Sequence, residues 1–149
     1  MTKEDAFNAA KAAFSLYAGL FKDIAQEIGP EKAISLHARQ VQGFDARLAG
    51  IMRERVGDKE IDLNTFASAR AEGSAVIGMI AQIEEAPNSV TLSWRQCPIY
   101  EGFRMAGLEH DTIEAMCKHG TVLGYAEFNK AFPQLSGCLK FRPAPDQPC

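Results

Sequence analysis

Residues 2–28 and 31–56 each carry an apolar stripe whose members recur at intervals of three and four residues. This repeat indicates an amphipathic helix, because an α-helix makes one turn every 3.6 residues. Gly29 and Pro30 separate the stripes, and proline fits the first turn of a new helix. We therefore expect two long helices that pack antiparallel as a helical hairpin. The stripe members are Phe7, Ala10, Phe14, Tyr17, Phe21, Ile24 and Ile28, then Ile34, His37, Val41, Phe44, Leu48 and Ile51.

Capping residues mark the ends of these helices. Thr2 and Asp5 have the spacing of a capping box, in which each side chain accepts from the other residue's amide. Gly57 is placed to end the second helix. A short third helix is predicted after Asp62, over 63–72.

The second half of the chain predicts a small sheet and more helices. Residues 76–96 are rich in β-branched residues around a Pro-Asn-Ser turn signal, which indicates a hairpin with strands 76–84 and 90–96. A helix over 98–106, a helix from Asp111 to about 131 and a last strand over 138–142 follow.

Composition predicts one soluble domain. The chain has 149 residues, 46% of them hydrophobic and 23% charged, and a net charge of −3. We therefore expect a single α+β domain over 1–149, in which a long N-terminal helical hairpin and further helices pack on a small antiparallel sheet. The sequence has no block of basic residues, which argues against nucleic-acid binding. It also has no apolar run of the kind found in a membrane span or a signal peptide. We therefore expect a cytoplasmic protein. The regular apolar stripes would also be compatible with a homodimer formed through these helices.

The four cysteines lie in the last third of the chain without C-x-x-C spacing. This argues against a zinc ribbon or a thioredoxin-type site. They are Cys97, Cys117, Cys138 and Cys149.

Cys97 directly precedes Pro98, where a strand-like run meets a helix-like run. Helix amides and the helix dipole at that position stabilise negative charge, so the sequence predicts a lowered pKa and a reactive thiolate. The alternative is a small apolar residue that fills a corner. Cys149 is three residues from Asp146, whose charge would keep it protonated. Together the two cysteines suggest a nucleophile and a proton donor, unless the tail is disordered.

Three other side chains are candidates for substrate binding. His37 lies on an inward helical face, and Glu101 is one turn into the helix after Cys97. Arg95 is near the same elements, as are Arg104, Lys140 and Arg142, and any of these four could hold a carboxylate. Each has an ordinary alternative, as a core histidine, a surface acid and a solvated surface charge respectively.

The arrangement resembles the L-2-amino-thiazoline-4-carboxylic acid hydrolase family over roughly residues 10–149. The matching features are Cys97-Pro98, Gly107-Leu108, Cys117, the run FNKAFPQL at 128–135, and the Asp146-to-Cys149 ending. Pro145 stands where the family has glycine, and family members usually continue past the last cysteine as a short strand.

The resemblance implies a hydrolase acting on a small molecule, with hydrolytic opening of a thiazoline ring. Attack by Cys97 or by an activated water, with proton donation by Cys149 or Asp146, would follow from it. A variant places zinc on Cys97, Cys117 and Cys149. The layout also resembles 4-vinyl reductase domains, which implies a non-catalytic module that binds a small hydrocarbon-like ligand.

Overall fold

The computed structural model describes residues 2–57 and 59–149. Within those ranges it contains five helices and one two-stranded antiparallel sheet, which confirms the predicted α+β class. None of the helices in the described ranges has the length and apolar character needed to cross a lipid bilayer. The elements are α1 (Lys3–Ile28), α2 (Pro30–Val56), α3 (Leu63–Ala75), β1 (Ala81–Ala86), β2 (Ser89–Trp94), α4 (Pro98–Met105) and α5 (His110–Ala131).

The capping predictions for the two long helices are confirmed. The Thr2 amide donates to Asp5 Oδ2 at 2.8 Å, and the Asp5 amide donates to Thr2 Oγ1 at 3.1 Å. Gly29 (φ 89°) and Gly57 (φ 61°) flank α2 in the left-handed region that favours glycine. Local chemistry alone therefore accounts for where these helices begin and end.

The hairpin begins later than predicted because residues 76–80 form a loop. Gly78 lies there with φ 78°, and a Cβ on it would stand 2.6 Å from the Phe7 amide nitrogen. The loop thus packs directly against the first turns of α1. β1 starts only at Ala81, which pairs with Trp94 in the antiparallel register.

The predicted strand over 138–142 is wrong, since these residues form neither helix nor strand. Pro143 and Pro145 follow directly, and proline has no amide to donate to a strand neighbour. The tail meets the hairpin instead at Cys149, as described below.

Residue contacts divide the chain into two units. The first contains the chain up to Lys22 together with 62–113 and 142–149, and the second contains 23–61 and 114–141.

In the first unit, α4 packs against α1. A Cβ on Gly102 would lie 2.5 Å from the Lys11 carbonyl oxygen, so only glycine allows this approach. The fully buried Phe103 ring meets the rings of Phe14 and Tyr17, with centroid distances of 6.3 and 6.0 Å. These contacts fix α4, whose N-terminus carries Cys97.

In the second unit, α5 approaches α2 through a face of small residues. A Cβ on Gly120 would lie 3.0 Å from Val41 Cγ2. Two members of the predicted α2 stripe, Phe44 and Ile51, are instead 54% and 46% exposed. The stripe prediction is wrong for these two residues, because small side chains fill the buried face of α2. The buried α2 residues are Ala33, Ala38, Asp45 and Ala49.

Candidate functional site

Cys97 lies at the joint that the sequence predicts. It is the N-cap of α4, with extended backbone angles (φ −133°, ψ 110°), and Pro98 follows as the first helical residue. Its carbonyl oxygen accepts the Glu101 amide at 3.0 Å, which closes the first turn of the helix. The residue is half-buried. The strand end and the Cys-Pro step therefore hold this thiol at a helix N-terminus.

The predicted lowering of the Cys97 pKa is wrong. Burial raises the pKa of the Cys97 thiol above its ordinary value, and a charge on Cys149 raises it further. The amides of Tyr100 and Ile99 oppose this rise electrostatically, although the sulfur makes no capping hydrogen bond to the helix. Desolvation outweighs them, so Cys97 is held as the neutral thiol.

Cys149 is anchored beside the end of β2. The Trp94 amide donates to the Cys149 carbonyl oxygen at 3.3 Å, and the Cys149 amide donates to the Trp94 carbonyl at 3.2 Å. This pair of bonds is that of an antiparallel bridge. It brings Cys149 near Cys97, since a charge on Cys149 acts on the Cys97 thiol.

Arg142 links the tail to α4 and is only 2% exposed. Its Nε donates to Cys149 Sγ at 3.3 Å, and its Nη1 donates to the Pro145 carbonyl oxygen at 2.9 Å. The guanidinium lies over the Tyr100 ring, 4.3 Å from the centroid. A buried cation is thus aimed at one of the two sulfurs.

Tyr100 and His110 complete this cluster. The Tyr100 hydroxyl and His110 Nδ1 form a hydrogen bond of 2.8 Å, and the two rings meet edge to face. We call Cys97, Cys149, Arg142, Tyr100, His110 and Trp94 the cysteine cluster. All of them belong to the first unit.

Sequence reasoning names Arg142 only as one of four basic residues that could hold a carboxylate, takes His110 as solvated, and does not single out Tyr100. Tyr100 follows Cys97 by three residues, a helical spacing that puts both on one side of α4. Arg142 directly precedes a Pro-x-Pro segment, and proline restricts the backbone of the residue before it. This restriction is a sequence signal that could have drawn attention to Arg142. His110 carries no comparable signal.

The remaining predicted site residues differ in their exposure and contacts. Asp146 and Arg95 are exposed. Glu101 forms an ion pair with Lys11, with a nitrogen–oxygen distance of 3.7 Å. His37 belongs to the second unit, and its pKa is lowered to about 4 by burial, so it is neutral near pH 7.

The described residues do not form the proposed zinc site. No group of three His, Cys, Asp or Glu side chains within residues 2–57 and 59–149 is arranged to hold a metal ion. Cys97 and Cys149 belong to the first unit and Cys117 to the second.

A separate open groove lies in the second unit, between α2 and α5. Its lining surface is mostly apolar, although charged and polar residues also contribute to it. The lining residues are Glu31, Ile34, Ser35, Ala38, Lys118, His119, Val122 and Leu123.

Comparison of the chain with protein-family models, with curated proteins and with solved structures found no significant match in any of the three.

Proposed function

We propose that the protein is a cysteine-dependent hydrolase that opens a thiazoline-type ring in a small molecule. One observation carries the proposal: the buried Arg142 guanidinium donates to Cys149 Sγ, while Cys97 beside it is held as a thiol. Two sulfurs with different partners provide a nucleophile and an acid in one place. Such chemistry needs reduced sulfurs, which suits the cytoplasm.

The contacts support a division of roles that reverses the one expected from the sequence. Cys149 is the nucleophile, because the buried Arg142 guanidinium donates to its sulfur and places a positive charge beside it. Cys97 is the proton donor, because burial raises its pKa and keeps the proton on its sulfur. Tyr100 positions Arg142, since its ring supports the guanidinium plane.

The reaction balances with these two groups and water. The Cys149 sulfur attacks the amidine carbon, and the ring bond from that carbon to its leaving heteroatom breaks as the heteroatom takes the Cys97 proton. Water then adds to the same carbon and the bond to Cys149 breaks. One proton of the water returns to Cys97, so both sulfurs regain their starting states.

Hydrolysis of L-2-amino-thiazoline-4-carboxylate by cysteine variants tests this proposal. We expect Cys149→Ser and Cys97→Ser each to lose about 100-fold or more in kcat/KM, as removal of a nucleophile or an acid does. Cys138 is exposed, so Cys138→Ser is the matched control and should retain wild-type activity. Mass spectrometry of quenched reactions should find the covalent adduct on Cys149. A Cys149→Ser enzyme as active as the wild type would contradict the mechanism.

The open groove of the second unit supports one alternative function, the binding of a small hydrocarbon-like ligand. Leu123 and Ile34 contribute apolar surface from α5 and α2 respectively. In that case an apolar fluorescent probe should bind the protein, and Leu123→Gln should weaken binding about tenfold. Probe binding without thiazoline hydrolysis would favour this alternative.

A further inference from the structure

Two buried N–H groups of the cysteine cluster have no hydrogen-bond partner among the described residues. They are Nη2 of Arg142 and Nε1 of Trp94. Arg142 is almost fully buried, and its Nε and Nη1 are already engaged. Buried donors without a partner are costly and rare in folded proteins, so these two groups are candidates to bind a ligand.

Both residues contact Cys149, Trp94 through its backbone and Arg142 through its side chain. Trp94 and Cys149 exchange two backbone hydrogen bonds, and directly opposed residues of an antiparallel pair project their side chains to the same face. Arg142 reaches Cys149 Sγ on that face through Nε. The indole and the guanidinium therefore both belong to the surroundings of the Cys149 side chain.

We propose that Arg142 Nη2 and Trp94 Nε1 bind a carboxylate of the substrate beside Cys149. One cationic and one neutral donor match the single charge and the two oxygens of a carboxylate. The inference rests on the proposed function, which supplies the ring that carries the carboxylate. It adds the protein donors that hold this ring beside Cys149. Arg95, the arginine favoured from the sequence, is exposed and does not serve this role.

Binding of an unreactive pair of ligands tests the inference without turnover. L-thiazolidine-4-carboxylate has a saturated ring without the electrophilic carbon, and thiazolidine is the same ring without the carboxylate. By isothermal titration, we expect the wild type to bind the carboxylate at least about tenfold more tightly than thiazolidine. Trp94→Phe keeps an aromatic ring without the N–H and should weaken carboxylate binding about fivefold.

Variants of the arginines complete the design. Arg142→Gln should remove the preference for the carboxylate, whereas Arg95→Gln is the exposed control and should keep it. If Arg142→Gln does not fold, Trp94→Phe still decides the question. Equal affinity of the wild type for both rings, or unchanged binding in Trp94→Phe, would overturn the inference. A carboxylate preference without hydrolysis would leave the inference standing and remove the proposed function, so the two failures are distinct.

Discussion

Cys97 lies where two electrostatic effects oppose each other on one thiol. A helix N-terminus stabilises negative charge by about 0.3–1 kcal/mol in exposed positions. Burial of an ionisable group shifts its pKa by up to several units, and each unit corresponds to about 1.4 kcal/mol. The larger effect decides the direction, and the pKa of Cys97 is raised. The Cys-Pro step predicts the position of the thiol correctly, but burial depends on residues that are distant in sequence.

His37 gives the residue-scale prediction, a loss of stability in acid. Its folded-state pKa of about 4 is below its ordinary value of 6.5 because of burial. A lowered pKa means that the unfolded chain binds the proton first, so stability is complete above pH 6.5 and falls as pH drops towards 4. From pH 7 to pH 4 we expect a loss of up to about 3 kcal/mol from this residue.

Urea denaturation of two variants across this pH range checks that expectation. His37→Gln retains a polar side chain and His37→Leu does not, and neither titrates. Both should lose less stability between pH 7 and pH 4 than the wild type, whatever their stability at pH 7. A variant with the same pH dependence as the wild type would show that His37 is not the group responsible.

At the scale of elements, local signals predict more than packing signals do. The Thr2–Asp5 capping box and the glycines at the ends of α2 act within a few residues, so the sequence alone locates these boundaries. The buried face of α2 depends on where Gly120 and Gly124 of α5 come to lie, about eighty residues later. The expected strand over 138–142 fails for a related reason, since alternation cannot show whether a partner strand is available.

Gly102 provides the element-scale prediction, because it allows α4 to approach α1. A Cβ at this position would lie 2.5 Å from the Lys11 carbonyl oxygen and 2.8 Å from Phe14 Cβ. Backbone atoms cannot yield as a flexible side chain does, so Gly102→Ala should destabilise the protein by about 2–3 kcal/mol. Thermal and urea denaturation measure the change.

Gly19 of α1 is the matched control for that substitution. A Cβ there would meet nothing within 4 Å. We expect Gly19→Ala to stabilise the protein by about 0.5–1 kcal/mol, because alanine favours the helix. If Gly102→Ala were as stable as Gly19→Ala, the close approach of α4 to α1 would be wrong.

At the scale of the molecule, the cysteine cluster combines parts of the chain that are far apart in sequence. Trp94 ends a strand, Cys97 begins a helix, and Arg142 and Cys149 come from the tail. The resemblance to a hydrolase family directs attention to both cysteines. The contacts of Arg142 are evident only from the structure, because its partners Tyr100 and Cys149 lie 49 positions apart in the chain.

The two units also bear on how the whole molecule unfolds. Each unit consists of several separate segments of the chain. Two helices cross the boundaries between the units, α1 at 22–23 and α5 at 113–114. Helix formation is cooperative, so loss of one end of such a helix weakens the other end. We therefore expect a single unfolding transition, in agreement with the single domain predicted from the sequence.

Two local probes compared with circular dichroism check this expectation. Trp94 is the only tryptophan and reports on the first unit. Phe44→Trp in a Trp94→Phe background places the probe in the second unit, at a position that is already exposed. The two fluorescence signals and the helical signal should change at one urea concentration. Separate midpoints for the two tryptophans would show that the units unfold independently, and the chain would then have two domains whose sequences are interleaved.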